Sequence, residues 1–361
     1  MKRKLASIMM LSLLAGLFTG CAGTPVVYYT ECNCEQTIHN QTSGTTTDTS
    51  NKNDNVVLTE GSLKTGLALV VNVSGSADAT AADYDVTHVA VLVDDNGVIQ
   101  DCIIDGIATK VKFDTTGTVT SDVNAAVSTK NELGENYGMV AWGGAKYEWD
   151  AQADALAQYA IGKTVEELRN GAVDETGKAP AGTDLAATAT IYLGGYVAAI
   201  EEAVANAKHL GAESGDELRM ASINSIANSV SATADKAGTA QLDSDLTVIT
   251  VKDGVITSCY IDSVQAKVSF NNKGVITTDL TAKVQTKNQL GSNYGMVAWG
   301  GAIAEWDAQA ASFAAYVTGK TAAEVAGISV SETTVPTDAD LSTSVTIAIG
   351  GFQALIDKAL Q

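Results

Sequence analysis

The chain has 361 residues, 45% of them apolar, and carries 42 acidic against 22 basic residues for a formal net charge of −20. That length suits two ordinary globular domains, each able to bury its own core. The charge makes nucleic acid and bare anionic lipid poor partners.

The chain opens as an export signal. Lys2, Arg3 and Lys4 precede an uncharged run from Leu5 to Phe18, too short to span a bilayer comfortably and followed by small residues. Leu17-Phe18-Thr19-Gly20-Cys21 resembles the bacterial lipobox, in which cleavage before the cysteine leaves a thiol that carries a diacylglycerol. Residues 1–20 are thus expected to be a lipoprotein signal peptide, with Cys21 as the lipidation site. From Ala22 to about Glu60 the chain is rich in Thr, Ser, Asn and Gln without apolar periodicity, which reads as a flexible stalk. A coil of that length spans roughly 35 Å. Cys32 and Cys34, a lone C-x-C in the stalk, are too few for a structural zinc or iron–sulfur site.

Beyond the stalk the sequence is a tandem duplication, 62–212 and 215–361. Cys102 and Cys259 lie 157 residues apart at matching positions and read as buried strand thiols. Each copy opens with β-branched strands. Val89–Val93 leads through Asp95-Asn96-Gly97 into Val98-Ile99, and Val248–Val251 leads through Asp253-Gly254 into Val255-Ile256, both hairpin signals. A further strand pair is expected at Lys110–Phe113 and Lys267–Phe270.

The ten residues NYGMVAWGGA follow, identical at 136–145 and 293–302. All four tryptophans fall in or just after these blocks, as Trp142, Trp149, Trp299 and Trp306, although aromatic residues make up only 6% of the chain. After the block the period changes. Trp149, Ala153, Leu156 and Ala160, like Trp306, Ala310, Phe313 and Val317, mark one apolar helix face, which places Trp149 and Trp306 in the core. Gly162 and Gly319 end these helices, and Thr164-x-x-Glu167 and Thr321-x-x-Glu324 are capping boxes for short second helices. Each copy closes on a short β-like stretch, a Gly-Gly pair and an alanine-rich helix, Tyr196–His209 or Phe352–Leu360. The expected fold is α+β: two tandem homologous domains, each an antiparallel β-meander followed by helices, behind a lipid-anchored stalk.

The motifs exclude much chemistry. The three histidines, His39, His88 and His209, are not repeated, and a spacing of 157 sets His88 opposite Asp245. Histidine is therefore not the base or metal ligand of any duplicated site. There is no H-E-x-x-H, no P-loop and no G-x-S-x-G elbow. One spacing does recur: Asp184 stands six residues before Thr190, and Asp340 six before Thr346, each just ahead of the Gly-Gly pair. On pattern alone these threonines read equally as β-branched strand residues. The spacing also resembles the flavinylation signal D-x-x-[S/T]-G-A-[T/S], whose last hydroxyl is esterified to FMN. The second copy keeps Thr343 at the fourth position but has Ser344 and Val345 for Gly and Ala; the first has Ala187 and Thr188 and keeps Ala189.

Lipobox, stalk, and two copies of T-K-x-x-L-G-x-x-Y-G-M, E-W, G-K-T and D-L-x-x-x-[AV]-T-I in one order resemble the PplA-type flavinylated lipoproteins of Gram-positive extracellular electron transfer. The resemblance implies two covalent FMN groups on Thr190 and Thr346, with Asp184 and Asp340 in the recognition signal, attached by an exported FMN transferase that draws on FAD. It also implies a place on the extracellular face of the cell membrane. There the chain relays electrons from a membrane NADH dehydrogenase and quinone pool to ferric iron, free flavins or a surface reductase, as a carrier more than an enzyme. Tyr137 and Trp142, with Tyr294 and Trp299, are candidate flavin contacts, and the paired glycines of each block allow close backbone approach. The rival expectation is a flavin-free surface or adhesive lipoprotein whose aromatic blocks bind a partner or fill a core.

Overall fold

The computed structural model describes residues 61–78 and 80–361, so the signal peptide, Cys21 and the stalk cysteines lie outside the described residues. The first repeat begins with an antiparallel meander of β1 (Lys64–Asn72), β2 (Ala81–Val93) and β3 (Ile99–Lys112). Helices follow: α1 (Lys130–Leu133), α2 (Trp149–Ala160), α3 (Val165–Ala172), α4 (Asp184–Thr188) and α5 (Gly194–Ala205). The second repeat has the same order with one short helix added, β4 (Glu217–Ser225), β5 (Gly238–Lys252) and β6 (Val255–Phe270) forming its own sheet. Its helices are α6 (Lys287–Leu290), α7 (Met296–Gly300), α8 (Trp306–Val317), α9 (Ala322–Ala326), α10 (Ala339–Ser342) and α11 (Gly350–Leu360).

Alternation along the strands decides how these pieces stack. In β2, Val89, Val91 and Val93 face α2, α3 and α5, while Ala82, Tyr84, Val86, Ala90 and Leu92 point the other way. In β5, Ile249 and Val251 likewise face α8, α9 and α11, and Ala240, Leu242, Leu246 and Val248 point away. Those opposite faces pack on one another and form a single central core shared by both sheets. The repeats are therefore not two closed bodies. Each has its own core only beneath its helices, and both belong to one compact unit in four layers, helix–sheet–sheet–helix. Equivalent residues meet across the centre: the Phe113 and Phe270 rings stack with centroids 3.9 Å apart and planes 5° from parallel. Polar bonds cross it too, Tyr84 Oη donating to the Ala240 carbonyl at 2.8 Å and Thr65 Oγ1 meeting Ser258 Oγ at 2.7 Å.

Several sequence expectations change in detail. The hairpin after β5 is one residue shorter than that after β2, so the burial pattern aligns His88 with Leu246 and not with Asp245. His88 is fully buried in the central core with Nε2 3.2 Å from Ser244 Oγ; burial, helped by Lys130 and Lys358, lowers its pKa to about 3 and keeps the ring neutral. Lys110–Phe113 and Lys267–Phe270 are not a separate strand pair, because they continue β3 and β6. No strand precedes the Gly-Gly pairs: Asp184 and Asp340 lie in the short helices α4 and α10, and the closing helices begin at Gly194 and Gly350. The first closing helix ends at Ala205, since Lys208 leaves it to pair with Thr65 on the edge of β1. Both predicted capping boxes form, at Thr164/Glu167 and Thr321/Glu324. Cys102 and Cys259 are buried free thiols, each raised by burial, Cys259 to about 12.

Candidate functional site

The repeated block is built from the outside in. Gly138 and Gly295 have φ of 82° and 83°, and the indoles of Trp142 and Trp299 lie directly over them, so a side chain at either glycine would collide with the ring. The tryptophan amides close the turn by donating to the Gly138 and Gly295 carbonyls at 3.0 Å. Glu148 accepts from the Met139 and Val140 amides at 2.8 and 3.0 Å, and Glu305 from Met296 and Val297 at 2.8 and 3.1 Å. This carboxylate satisfies the free N–H groups of the turn from one residue before the long helix. The indoles themselves remain 82% and 83% exposed, beside exposed Val140 and Val297. They are not core. Trp149 and Trp306, at 3% and 6%, are.

Beneath the block lies a pair of lysines that sequence reasoning did not single out. Lys130 Nζ sits 4.8 Å from the Trp149 ring centre and 5.7 Å from that of Tyr137; Lys287 Nζ is 4.6 Å from Trp306 and 5.4 Å from Tyr294. Tyr137 and Tyr294 are thus half-buried and engaged from below, Tyr294 Oη also meeting Gln265 Oε1 at 3.2 Å. The two lysines differ electrostatically. Burial opposes the charge on Lys130, but Tyr196 and Asp85, the latter 2.9 Å away, outweigh it and raise its pKa. In the second repeat the matching Asp243 is held by Asn228 and Gln241, Phe352 replaces Tyr196, and burial lowers Lys287 despite Asp245, Asp243 and Asp262 nearby.

The threonines rest on another repeated residue, a fully buried glutamine in the first turn of each long helix. Gln152 Oε1 accepts from the Thr190 amide at 2.8 Å, Thr190 Oγ1 at 3.1 Å and the Ile191 amide at 3.1 Å, while its Nε2 donates to the Tyr147 carbonyl at 2.9 Å. Gln309 repeats this with the Thr346 amide at 2.8 Å, Thr346 Oγ1 at 3.3 Å and the Ala304 carbonyl at 2.8 Å. Ala189 and Val345 are buried just before each threonine, whereas Thr190 and Thr346 themselves are exposed. Each loop is pinned at an exposed threonine whose hydroxyl turns in to the buried glutamine.

Glutamine and glutamate therefore tie threonine and block to one helix start, residues 148–152 and 305–309. The open groove at Trp142 is lined by Glu135, Asn136, Val140, Ala141 and Glu148, and does not include Thr190. Asp184 and Asp340 are exposed on α4 and α10. In the first repeat Lys146 Nζ donates to the Ala187 carbonyl at 3.2 Å, which brings the tail of the block to the acceptor loop; in the second its place is taken by exposed Ile303. The signal for the missed residues was present, since T-K, E-W and W-D-A-Q all recur unchanged. Among the described residues no group of His, Cys, Asp and Glu suits a metal ion, and no helix is long and apolar enough to cross a membrane. No family model, curated protein or solved structure matches this chain.

Two expected outcomes test this account. Replacing Gln152 by Leu strands the Thr190 and Ile191 amides and the Tyr147 carbonyl; the loss should be roughly 2–4 kcal/mol in urea unfolding, discounted because the loop is partly exposed. A loss under about 0.5 kcal/mol would mean the glutamine pins nothing. The second concerns Asp262, which accepts from the Ser263 and Asn288 amides at 2.7 and 3.1 Å and anchors α6 to β6. Burial raises its pKa from 3.8 to about 6, against hydrogen bonds from Thr286, Asn288 and Ser263. The folded state keeps the proton longer than the unfolded state, so this group lowers stability as pH rises from about 4 to 6, by up to roughly 3 kcal/mol. Asp262→Asn, which can accept the same amides, should therefore be the more stable protein at pH 7, with the difference vanishing near pH 4. A pH-independent difference would refute the assignment.

Proposed function

We propose that this protein is a membrane-anchored extracellular electron-transfer flavoprotein carrying two covalent FMN groups, one on Thr190 and one on Thr346. The observation that carries the reading is the duplicated, exposed threonine, its hydroxyl held at the same point of each repeat by a buried glutamine of the helix whose start also anchors the exposed aromatic block. Bound flavin supplies the redox chemistry, and the chain has only to hold and shield it. A covalent link keeps it in place where free FMN is dilute.

The chain's own residues fit that task and set its limits. A phosphoester at Thr190 requires loss of the hydroxyl proton, but that hydroxyl faces a glutamine carbonyl, which is no base. Attachment accordingly belongs to a separate FMN transferase, which cleaves FAD, joins the FMN phosphate to Oγ1 and releases AMP; the exposed Asp184 and Asp340 are available to its recognition surface. Trp142 and Trp299 offer exposed ring faces to an isoalloxazine, and Tyr137 and Tyr294 support the block from below. The donor is a membrane NADH dehydrogenase and quinone pool. The acceptors are ferric iron, free flavins or a surface reductase, reached from a lipid anchor at Cys21.

The same exposed tryptophans also favour a second reading, a flavin-free surface or adhesive lipoprotein that docks a partner through them. Intact-mass measurement on the chain produced in a host with a flavin transferase decides between them. Two FMN additions that survive denaturation are expected; an unmodified mass would leave the adhesive reading.

A further inference from the structure

A second cleft among the described residues lies away from the aromatic blocks. It has a volume of about 500 Å³, within the range of small-molecule sites, and lies between the connector that joins the repeats and the helix α8. We infer that this cleft is a second, non-covalent binding site, present in the second repeat alone, for a planar aromatic anion. The inference goes beyond flavin attachment and does not depend on it.

Three observations define the ligand. The first is the floor, where Ala308, Ala311 and Ala315 line the cleft from one face of α8 with methyl groups only. At the matching positions of α2 the first repeat has Asp154 and Gln158, hydrogen-bonded to each other at 3.5 Å, so the repeats diverge where the cleft opens. The second is the wall. Gly211 brings the connector backbone against β6 at φ 111°, where any side chain would collide with the Thr257 carbonyl, and Tyr260 adds an aromatic ring. A flat apolar floor and a ring wall suit a planar ring system. The third is charge. Lys208 lies at the cleft with Nζ 4.8 Å from the Tyr260 ring centre, and no carboxylate among the described residues pairs with it, in a chain with 42 acidic residues. Its neighbour His209 is by contrast tied to Asp95 at 3.0 Å and to Ser62 at 3.3 Å, which holds the connector in place. Asp307 also lines the cleft, so the ligand's anionic group belongs at Lys208.

Calorimetric titration of the full chain with anthraquinone-2-sulfonate tests the site. One equivalent should bind in the micromolar range. The double change Ala311→Asp and Ala315→Gln, which installs the first repeat's own pair, should weaken it at least about tenfold with little change in melting temperature. Lys208→Gln, an exposed change that leaves the floor intact, should weaken it several-fold and remove most of the salt dependence. No saturable binding up to about 1 mM, two equivalents, or affinity unaltered by Lys208→Gln would overturn the proposal. Should the floor variant fail to fold, the Lys208 variant still decides.

Discussion

Thr190→Ala and Thr346→Ala are each expected to remove one FMN by intact mass, and the double change both. The fold gives this result its meaning. Gln152 Oε1 keeps the Thr190 and Ile191 amides after the hydroxyl is gone, and Gln309 Oε1 keeps the Thr346 amide. Neither substitution strands a buried polar group, and both side chains are exposed, so stability should fall by no more than about 1 kcal/mol. Loss of flavin would then report the missing oxygen and not unfolding. The remaining single-site proteins should also differ from each other. The first site has Lys146, Tyr192 and a Lys130–Asp85 pair nearby, while the second has Ile303, Ala348 and a Lys287 lowered by burial. Two flavins retained by the double variant would show that other hydroxyls are the acceptors.

The second large effect is on folding. Cutting the chain to residues 215–361 leaves one wall of the central core uncovered, including Leu242, Leu246, Val248, Val264, Val268 and Phe270. Six large apolar side chains at roughly 1.5–3 kcal/mol each amount to roughly 9–18 kcal/mol, as much as a whole domain usually has. The isolated repeat should therefore be unfolded, or should recover the lost face by pairing with itself. Stacking of the equivalent rings Phe113 and Phe270 makes that pairing self-complementary, as a two-fold interface requires. For the same reason the intact 62–361 portion should melt in one transition and not in two. Sedimentation and circular dichroism of the isolated repeat provide the check. A folded monomer of 215–361 would show that the shared core is dispensable.

The sequence by itself determined what is local. Hairpin turns, the apolar faces at Trp149 and Trp306, the capping boxes and the buried thiols were all legible, because each depends on spacing within a few residues or on direct comparison of two copies. Thr190 and Thr346 were legible as repeated hydroxyls, but their surroundings were not. Pattern could not distinguish a strand threonine from one on a pinned loop, since the deciding partner, Gln152 or Gln309, stands nearly forty residues away and reads in sequence as an ordinary helix residue. Trp142 and Trp299 were ambiguous for a related reason: only the turn at Gly138 and Gly295 turns their rings outward. Tertiary structure alone decided the largest matter, that two repeats share one core. The near-continuous apolar runs Val89–Val93 and Val248–Val251 announce two buried faces per strand, yet they cannot say whether helices or another sheet cover the second. That answer lies in contacts between residues more than a hundred positions apart, to which no local pattern refers.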